Sequence, residues 1–352
     1  MSQTHSTPNR ERIRDEIVDL AVAGEIEPGV STSENEIARK LGGGRTPIRE
    51  GLALLVTEGM FEQIPQVGVK LRSPSAAEVE KILAIRARLE GLIVEDLAVE
   101  EDPESLTATA VRTNGEALAM VADRVAFGRQ AARFHGELAM AAGYETAALS
   151  IRTCMDRLRV YEAVRTRAET IRADGRSMTL TEDLRRTIAA LEIVREQSAI
   201  LASIHSGDPV AAGNSLAEHL ERTHQRLAED PGSGRTPAPK QVEETADLLV
   251  KNAGEFLEVG AHAAAGLAVT MLAGLCFEAG KHRDAAVILG NPISTFAQPL
   301  AASVDLVGGT FPAPAAMKTM LRSELGEEGL ASALQEGHLL DLGAIGNLIR
   351  EH

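Results

Sequence analysis

Two arginines, Arg45 and Arg49, stand four residues apart in the string Gly44-Arg45-Thr46-Pro47-Ile48-Arg49-Glu50. Apolar residues recur at helical spacing in the same segment: Ile48, Leu52, Leu55 and Val56. We therefore expect a helix that buries those residues and exposes both guanidinium groups near its N-terminus. Guanidinium groups pair with guanine O6 and N7 or with phosphate, and the free amides of a helix N-terminus also attract phosphate. The alternative is a solvated arginine pair on a surface helix.

The segments before this string predict two further helices. The first runs from Arg10 to Ala23, with Ile13, Ile17 and Leu20 on one face. Glu27-Pro28-Gly29 is a turn signal. Ser33 to Glu36 then fits a capping box, in which the Ser33 hydroxyl accepts from the amide of Glu36, and a short helix follows to Leu41.

Three glycines, residues 42–44, predict a tight connection to the next helix. Thr46 suits the N-cap and Pro47 the first helical position of a helix that continues to about Glu58. Residues 61–64 and 69–72 alternate as strands around a turn, which predicts a wing. These neighbours supply the context of a winged helix-turn-helix, whose recognition helix presents its N-terminal residues to the major groove.

This segment, residues 8–74, resembles the GntR family of bacterial regulators. Family members carry a run like Ser-Arg-Thr-Pro-Val-Arg-Glu-Ala-Leu, then Glu-Gly and a wing glycine, and the chain has 44–52, Glu58-Gly59 and Gly68 in their places. The resemblance implies that arginines contact DNA and that the wing glycine approaches the minor groove. We predict these DNA-binding residues: Arg39, Arg45, Thr46, Arg49 and Gly68.

Two positions depart from the family pattern. Gly44 replaces a serine that usually bonds phosphate, so one contact is lost. Gly51 replaces alanine inside the recognition helix, which costs about 1 kcal/mol of helix stability. We therefore expect a lower operator affinity, or a looser ensemble in the free protein.

Residues 77–228 follow a helical pattern throughout and resemble the all-helical effector domain (FCD) of the FadR-type branch of the family. The strings that carry the resemblance are 85–90, Phe134-His135, Glu196-Gln197, Gly207-Asp208 and Glu218-His219. It implies that residues 77–228 bind a small carboxylate effector and dimerise. The predicted effector-binding residues are Arg86, His135, Gln197 and His219. The alternative for Arg86 is an ion pair with Glu90, four residues on.

Many members of that branch hold a divalent metal, such as Zn or Ni, with one Asp and three His. Here Ala131 stands at the Asp position and Gln197 at one His position, while His135 and His219 remain. Two strong ligands do not make a tight site, so the resemblance leaves a degraded metal site at these two histidines. The favoured alternative is two histidines that line a polar cavity without metal.

The net charge of −15 is opposite to that of DNA-binding surfaces in general, but it is unevenly distributed. Residues 1–73 contain nine Lys or Arg and eleven Asp or Glu. Their bases cluster at Arg39, Lys40, Arg45, Arg49, Lys70 and Arg72, and local fields decide phosphate binding. Only two cysteines occur, and the first twelve residues lack an apolar signal core, which predicts a reducing, cytoplasmic location.

The last third of the chain follows a predicted linker at residues 229–240. Residues 241–352 are rich in Ala, Leu and Gly and are expected to be mostly helical. The stretch 259–277 is apolar enough to raise a membrane span, but His262 and the flanking Glu258 and Glu278 favour a buried helix. The turn-like strings at 290–292 and 308–310 lack the spacing of a phosphate loop.

The sequence therefore predicts a mainly α fold: a winged helix-turn-helix, an all-α helical-bundle effector domain and a mostly helical extension. The function that follows is a homodimeric transcriptional regulator, of repressor type, that binds a double-stranded operator and responds to a small organic acid. We expect neither catalysis nor a membrane partner. The alternatives are a bifunctional protein whose residues 241–352 form an enzyme or a partner-binding module, and a poorly folded tail.

Overall fold

The computed structural model describes the chain with gaps: residues 9–118, 120–121, 123–172, 180–228, 246–247, 249–251, 253–254, 257, 262–278, 280–297 and 314–345. Within these residues the chain forms two compact units. The first takes residues 9–93, 135–172 and 220–228, and the second takes 94–134, 180–219 and the described residues from 246 onward. The predicted linker at 229–240 and the string at 308–310 lie outside the described residues.

The N-terminal elements of the first unit are α1 (Asn9–Ala23), β1 (Ser31–Thr32), α2 (Glu34–Leu41), α3 (Arg45–Thr57), β2 (Phe61–Ile64) and β3 (Gly68–Leu71). The strands form an antiparallel sheet in the order β1-β3-β2, with Phe61 opposite Leu71 and Ser31 opposite Lys70. The wing lies where the alternation of residues 61–72 predicts it. The two-residue strand β1 was not predicted, because a pairing so short leaves no alternation pattern in the sequence.

Local signals account for the ends of α2. The Ser33 hydroxyl accepts from the amide of Glu36 at 3.2 Å, as the capping box predicts. The helix ends at Gly42, whose φ of 63° suits glycine. The start of α3 differs from the prediction, since Gly44 rather than Thr46 is the N-cap and Arg45 is the first helical residue. Gly44 has no side chain to cap the helix, so the first amides of α3 remain directed outward.

Two glycines of this region are explained by close packing. A Cβ added at Gly51 would lie 3.0 Å from Ile13 Cγ2 and 3.1 Å from the Arg14 amide nitrogen. Glycine at this position therefore lets α1 and α3 approach closely, which is a packing reason for the departure from the family's alanine. At Gly68, φ is 145° and an added Cβ would lie 2.3 Å from the Thr32 carbonyl oxygen, so the pairing of β1 with β3 requires glycine there.

Six long helices follow: α4 (Ala76–Ala98), α5 (Pro103–Leu118), α6 (Arg124–Ala141), α7 (Glu145–Arg172), α8 (Leu180–His205) and α9 (Pro209–Ala228). In the first unit, the N-terminal half of α4 packs on α7 through Ile82, Leu83 and Leu158, with Leu227 of α9 beside them. In the second unit, Asn114 of α5 donates to the carbonyl of Val194 and to the Ser198 hydroxyl of α8. The helical pattern predicted for residues 77–228 is therefore present in the described part of that range.

The C-terminal part of the second unit contains α10 (His262–Glu278), α11 (His282–Gly290), a 3-10 helix (Pro292–Ala297) and α12 (Pro314–Gly337), which is interrupted at Gly326. Helix α10 is apolar on all sides, and residues such as Val269, Met271 and Leu272 are almost fully buried. It is therefore a buried helix, as residues 259–277 predict. Among the described helices, none combines the length and the apolar character needed to cross a membrane.

Helices α11 and α12 meet through their backbones. A Cβ at Gly337 would lie 1.7 Å from the Val287 carbonyl oxygen, and one at Gly290 would lie 2.1 Å from that of Leu334. Asn291 donates from Nδ2 to the Leu340 carbonyl at 2.7 Å and holds the turn after α11. Glycine at these two positions is a requirement of this crossing.

The C-terminal helices share one apolar core with earlier helices of the second unit. The earlier helices contribute Ala117, Phe127, Ala131, Leu191 and Val194, and the C-terminal helices contribute Leu267, Leu272, Val287, Met317 and Leu321, among others. The core therefore crosses the predicted boundary between residues 228 and 241. The mainly α fold class predicted from the sequence is confirmed.

Candidate nucleic-acid interface and buried polar clusters

The predicted DNA-binding residues lie at the surface of the winged region. Arg45 and Thr46 are exposed in the first turn of α3, and Arg49 follows one turn later with 71% of its side chain accessible. Arg39 is exposed in the last turn of α2. The opposite side of α3 is anchored by Ile48, Leu52 and Leu55, which are at most 3% exposed, so the exposed arginines stand on a rigid helix.

Several of these basic groups have acidic partners within the winged region. Arg49 donates from Nε and Nη2 to both carboxylate oxygens of Glu34, at 2.9 to 3.2 Å. Similar pairs join Lys40 to Glu25 at 3.4 Å and Lys70 to Glu62 at 2.9 Å. Within the described part of the chain, Arg39 and Arg45 have no carboxylate partner. Arg45 can therefore meet a phosphate or a base without leaving an ion pair, whereas Arg49 has to leave Glu34.

The first unit contains a buried charged cluster on α4 and α6, formed by Arg86, Glu90 and His135. Arg86 donates from Nε to Glu90 Oε1 at 2.6 Å and from Nη2 to Oε2 at 3.2 Å. His135 Nδ1 lies 2.7 Å from Glu90 Oε2. All three side chains are at most 3% exposed. Arg86 thus makes the ion pair with Glu90 that its spacing allows, and Glu90 joins two of the predicted effector-binding residues.

Burial and neighbouring charge set the protonation of this cluster. Burial alone would raise the pKa of Glu90, but the charge of Arg86 and a hydrogen bond from His135 lower it well below its usual range. Burial lowers the pKa of His135, an effect that the Glu90 carboxylate only partly offsets and the Arg86 charge reinforces. The cluster at neutral pH is therefore a guanidinium and a carboxylate beside a neutral imidazole.

The second unit holds the other two predicted effector-binding residues. Gln197 of α8 donates from Nε2 to the Ala131 carbonyl at 3.0 Å. His219 of α9 has its Nδ1 2.7 Å from Glu196 Oε2, and both side chains are 4% exposed. Each predicted residue is therefore buried and hydrogen-bonded or ion-paired. Their role toward an effector stays a prediction.

The donor set does not fit the metal site that the family resemblance suggests. Each remaining histidine has a nitrogen close to a carboxylate of its own unit, Glu90 for His135 and Glu196 for His219. Ala131 and Gln197 offer no ligand of the required kind, and Ala131 lies in the apolar core. Among the described residues, no group of three or more His, Cys, Asp or Glu side chains could hold a metal ion.

The sequence interpretation missed the acidic partners of the basic groups. Glu34 stands fifteen residues before Arg49, and Arg14 meets Glu58 across 44 residues. One signal was available: Arg14 falls on the face of α1 that also carries Ile17 and Val18, where a charge requires a partner. The identity of that partner depends on which elements pack against α1.

The model of bacterial regulatory proteins of the gntR family matches residues 9–71 of the chain. The "Probable D-xylose utilization operon transcriptional repressor" of Paenarthrobacter nicotinovorans is 31% identical over 212 residues, which are 59% of this chain and 84% of that protein. The chain belongs to the gntR family. An uncharacterized HTH-type regulator of Streptomyces ambofaciens is 34% identical over 103 residues, 29% of this chain and 44% of that protein.

This gntR-family chain spans about half the length of the first curated relatives that it matches, between 44% and 57%. Among solved structures, E. coli McbR/YncC matches with 16% identity and a TM-score of 0.49, over 63% of this chain and 98% of that one. The Paenarthrobacter repressor leaves about two fifths of this chain unmatched.

Proposed function

We propose that this chain is a DNA-binding transcriptional regulator of repressor type. The observation that carries the proposal is the exposed N-terminus of α3, where Arg45 and Arg49 project from a helix held by three buried apolar residues. Uncapped amides at Gly44 and Arg45 add a phosphate-binding end. Such a helix, followed by a wing, has the form that enters the major groove in winged helix-turn-helix proteins.

Arg39, Arg45, Thr46 and Arg49 would contact the major groove and its phosphates, and the wing at Gly68 would approach the minor groove. A homodimer would place two such surfaces on the half-sites of a pseudo-palindromic operator. The location would be cytoplasmic, where the operator is. Membership of a family of regulators supports this assignment over an enzymatic one.

The proposed effector is a small organic acid bound by the FCD-type helical region of the FadR branch. The support is chemical and comes from each unit separately. Arg86 and His135 of the first unit are 1% exposed as residues, and Gln197 and His219 of the second unit are 1% and 3% exposed. Polar groups are buried at a cost unless they are paired. Because Glu90 engages Arg86 on two nitrogens, an acid that binds Arg86 would compete with that carboxylate. No metal takes part in this proposal, because the donor set does not fit one.

The test of DNA binding is fluorescence anisotropy with duplexes selected from genomic DNA by the full-length protein. We expect salt-sensitive binding that falls about 5- to 150-fold in Arg45→Ala and in Arg49→Ala, since a bidentate arginine–guanine contact is worth about 1–3 kcal/mol. Arg112→Ala, an exposed arginine of α5, is the matched control. Equal affinity of both variants and the parent, or no selected sequence, would reject the proposal.

A further inference from the structure

Arg14 is a buried arginine of α1 that lies outside the surface described for DNA. Its side chain is 1% exposed, yet its guanidinium meets three carboxylates. It donates from Nε to both oxygens of Glu58 at 3.1 and 3.2 Å and from Nη2 to Oε2 at 2.5 Å. Nη1 donates to Asp15 at 2.8 Å and also to Asp156. One side chain thus joins the winged region to α7.

Helix α7 presents a row of charged residues to α1, spaced at helical intervals: Arg152, Asp156, Arg159 and Arg167. Arg159 bonds both Asp156 at 3.0 Å and Asp19 of α1 at 2.8 Å. Arg167 donates to the carbonyls of Gly24 and Ala23 at the end of α1. We call these α7 residues, together with Arg14, Asp19 and Glu58, the α1–α7 clasp. All of its members belong to the first unit.

Arg14 stays charged throughout the ordinary pH range. Burial alone would lower the pKa of Arg14, but Asp156 and Glu58 raise it above its ordinary value. Taking a guanidinium and a carboxylate out of water is costly, and apolar side chains of similar size often stabilise a fold equally well. Stability alone therefore gives little reason for an ionic contact here. A directional contact does fix the orientation of the joined elements.

The clasp acts directly on the recognition helix. Glu58 immediately follows the last residue of α3, so Arg14 holds the C-terminal end of that helix. Gly51 brings the middle of α3 to within van der Waals contact of Ile13 and Arg14. Helices α1 and α3 are therefore packed together as one body. The orientation of that body relative to α7 depends on the Arg14–Asp156 and Arg159–Asp19 pairs and on the bonds of Arg167 to the end of α1. It also depends on Arg152, which lies 3.8 Å from Glu58 and 4.0 Å from Glu11.

We propose that Arg14 and Asp156 are positioning residues for DNA recognition, which fix the angle between the recognition helix and α7. The inference rests on the proposed function. A rigid projection makes a dimeric regulator selective for the spacing between half-sites, because one added base pair rotates the second half-site by about 35°. A loosened clasp would keep contact with each half-site and lose that selectivity.

The first test compares three duplexes: the selected operator, the same operator with two base pairs inserted between half-sites, and a single half-site. Asp156→Asn removes the negative charge that Arg14 and Arg159 meet on α7 and leaves Glu58 in place. We expect the preference of the parent for native spacing to fall at least fivefold, with single-half-site affinity within about twofold of the parent. Glu162→Gln, an exposed acidic residue of α7, is the matched control and should keep the preference.

Asp19→Asn guards against a folding defect of Asp156→Asn. It weakens the Arg159–Asp19 pair at the partly exposed edge of the clasp, where Asp19 is 16% exposed. Asp19→Asn should also lower the preference for native spacing, but by a smaller factor than Asp156→Asn does. A uniform loss of affinity on all three duplexes would instead indicate a merely structural role and overturn the proposal.

The second test does not use DNA. Arg72 is exposed between β3 and α4, and trypsin cleavage after it reports how often the winged region separates from α7. We expect Asp156→Asn to be cut at Arg72 at least tenfold faster than the parent, by intact-mass analysis, and Glu162→Gln at the parent rate. Equal cleavage rates for all three proteins would overturn the proposal that the clasp holds the winged region on α7.

If the parent binds no DNA, the proposed function fails and the positioning role fails with it. Altered trypsin rates would still identify the clasp as a structural contact.

Discussion

The arginines of the DNA surface and those of the interior have the same chemistry in opposite surroundings. Arg45 and Arg49 lie in solvent, one without a carboxylate partner among the described residues and one bound to Glu34 at the surface. Arg14 and Arg86 are 1% exposed, and Arg14 meets three carboxylates while Arg86 is paired with Glu90. Exposed charges can be exchanged for phosphate at little cost, whereas buried charges are tied to their partners. The exposed arginines suit binding to DNA, and Arg14 suits the fixing of structure.

The largest effect is expected where a buried pair is broken from one side. Glu90→Ala leaves the Arg86 guanidinium in the interior without its carboxylate, which typically costs about 3–5 kcal/mol. Urea unfolding followed by circular dichroism measures the loss. Glu80→Ala, which removes an exposed carboxylate from the same helix, should change the free energy of unfolding by less than about 0.5 kcal/mol. If Glu90→Ala is as stable as Glu80→Ala, the buried and the exposed arginines do not differ in how strongly they depend on their carboxylate partners.

A smaller effect is expected from the pH dependence of the same cluster. The pKa of His135 is lowered in the folded protein, so below its ordinary value near 6.5 the unfolded chain takes up a proton that the folded chain does not. His135 therefore contributes stability at pH 7 that is lost as pH falls below about 6.5, by up to about 1.4 kcal/mol per pH unit.

His135→Gln should flatten the curve of unfolding free energy against pH between about 7 and 5.5. His224→Gln, at an exposed position of α9, should leave the slope of the parent unchanged. Urea unfolding at four or five pH values within that window measures both. If the two variants give the same slope as the parent, the burial of His135 has no consequence for its titration.

The smallest effect is expected at the surface. Arg49 has to leave Glu34 to reach DNA, and an ion pair at the surface is weak. Glu34→Gln should therefore raise operator affinity by about 1.4- to 5-fold. It should also steepen the salt dependence, since Arg49 then replaces counterions rather than a carboxylate.

Anisotropy titrations at several salt concentrations measure this change. Glu27→Gln removes the same charge from an exposed turn of the winged region and separates a general charge effect from the release of Arg49. An affinity gain of equal size in both variants would assign the effect to net charge. Weaker binding in Glu34→Gln would mean that Glu34 orients Arg49 for DNA instead of competing with it.

Local patterns were sufficient for much of the winged region. The capping box at Ser33, the end of α2 at Gly42 and the wing at residues 61–71 all follow from interactions within a few residues. The N-cap of α3 was wrong by two positions because Gly44 can cap by conformation alone, without a side-chain bond. From the sequence, Gly44 and Thr46 are therefore nearly equal candidates for the N-cap position.

Patterns were weaker for the buried polar residues. Arg86 fitted both an effector contact and an ion pair with Glu90, and the spacing of four residues could not choose between them. The structure contains the ion pair. Both side chains are buried on the same helix, and each neutralises the charge of the other. The sequence also did not predict the packing partners of the C-terminal helices. An apolar segment such as α10 indicates burial, but it does not indicate which helices cover it.

The sequence by itself determined the helical periodicity, the wing, the exposed arginines of α3 and the apolar character of α10, because each depends on residues close together along the chain. Only the tertiary structure decided that Arg14 joins α1 to α7, that Glu34 holds Arg49, and that Gly51 and Gly68 permit close packing. It also decided that residues after 246 share a core with α5, α6 and α8. The physical reason is that a charge or a Cβ is constrained by its neighbours in space, and those neighbours are brought together by packing of the whole chain.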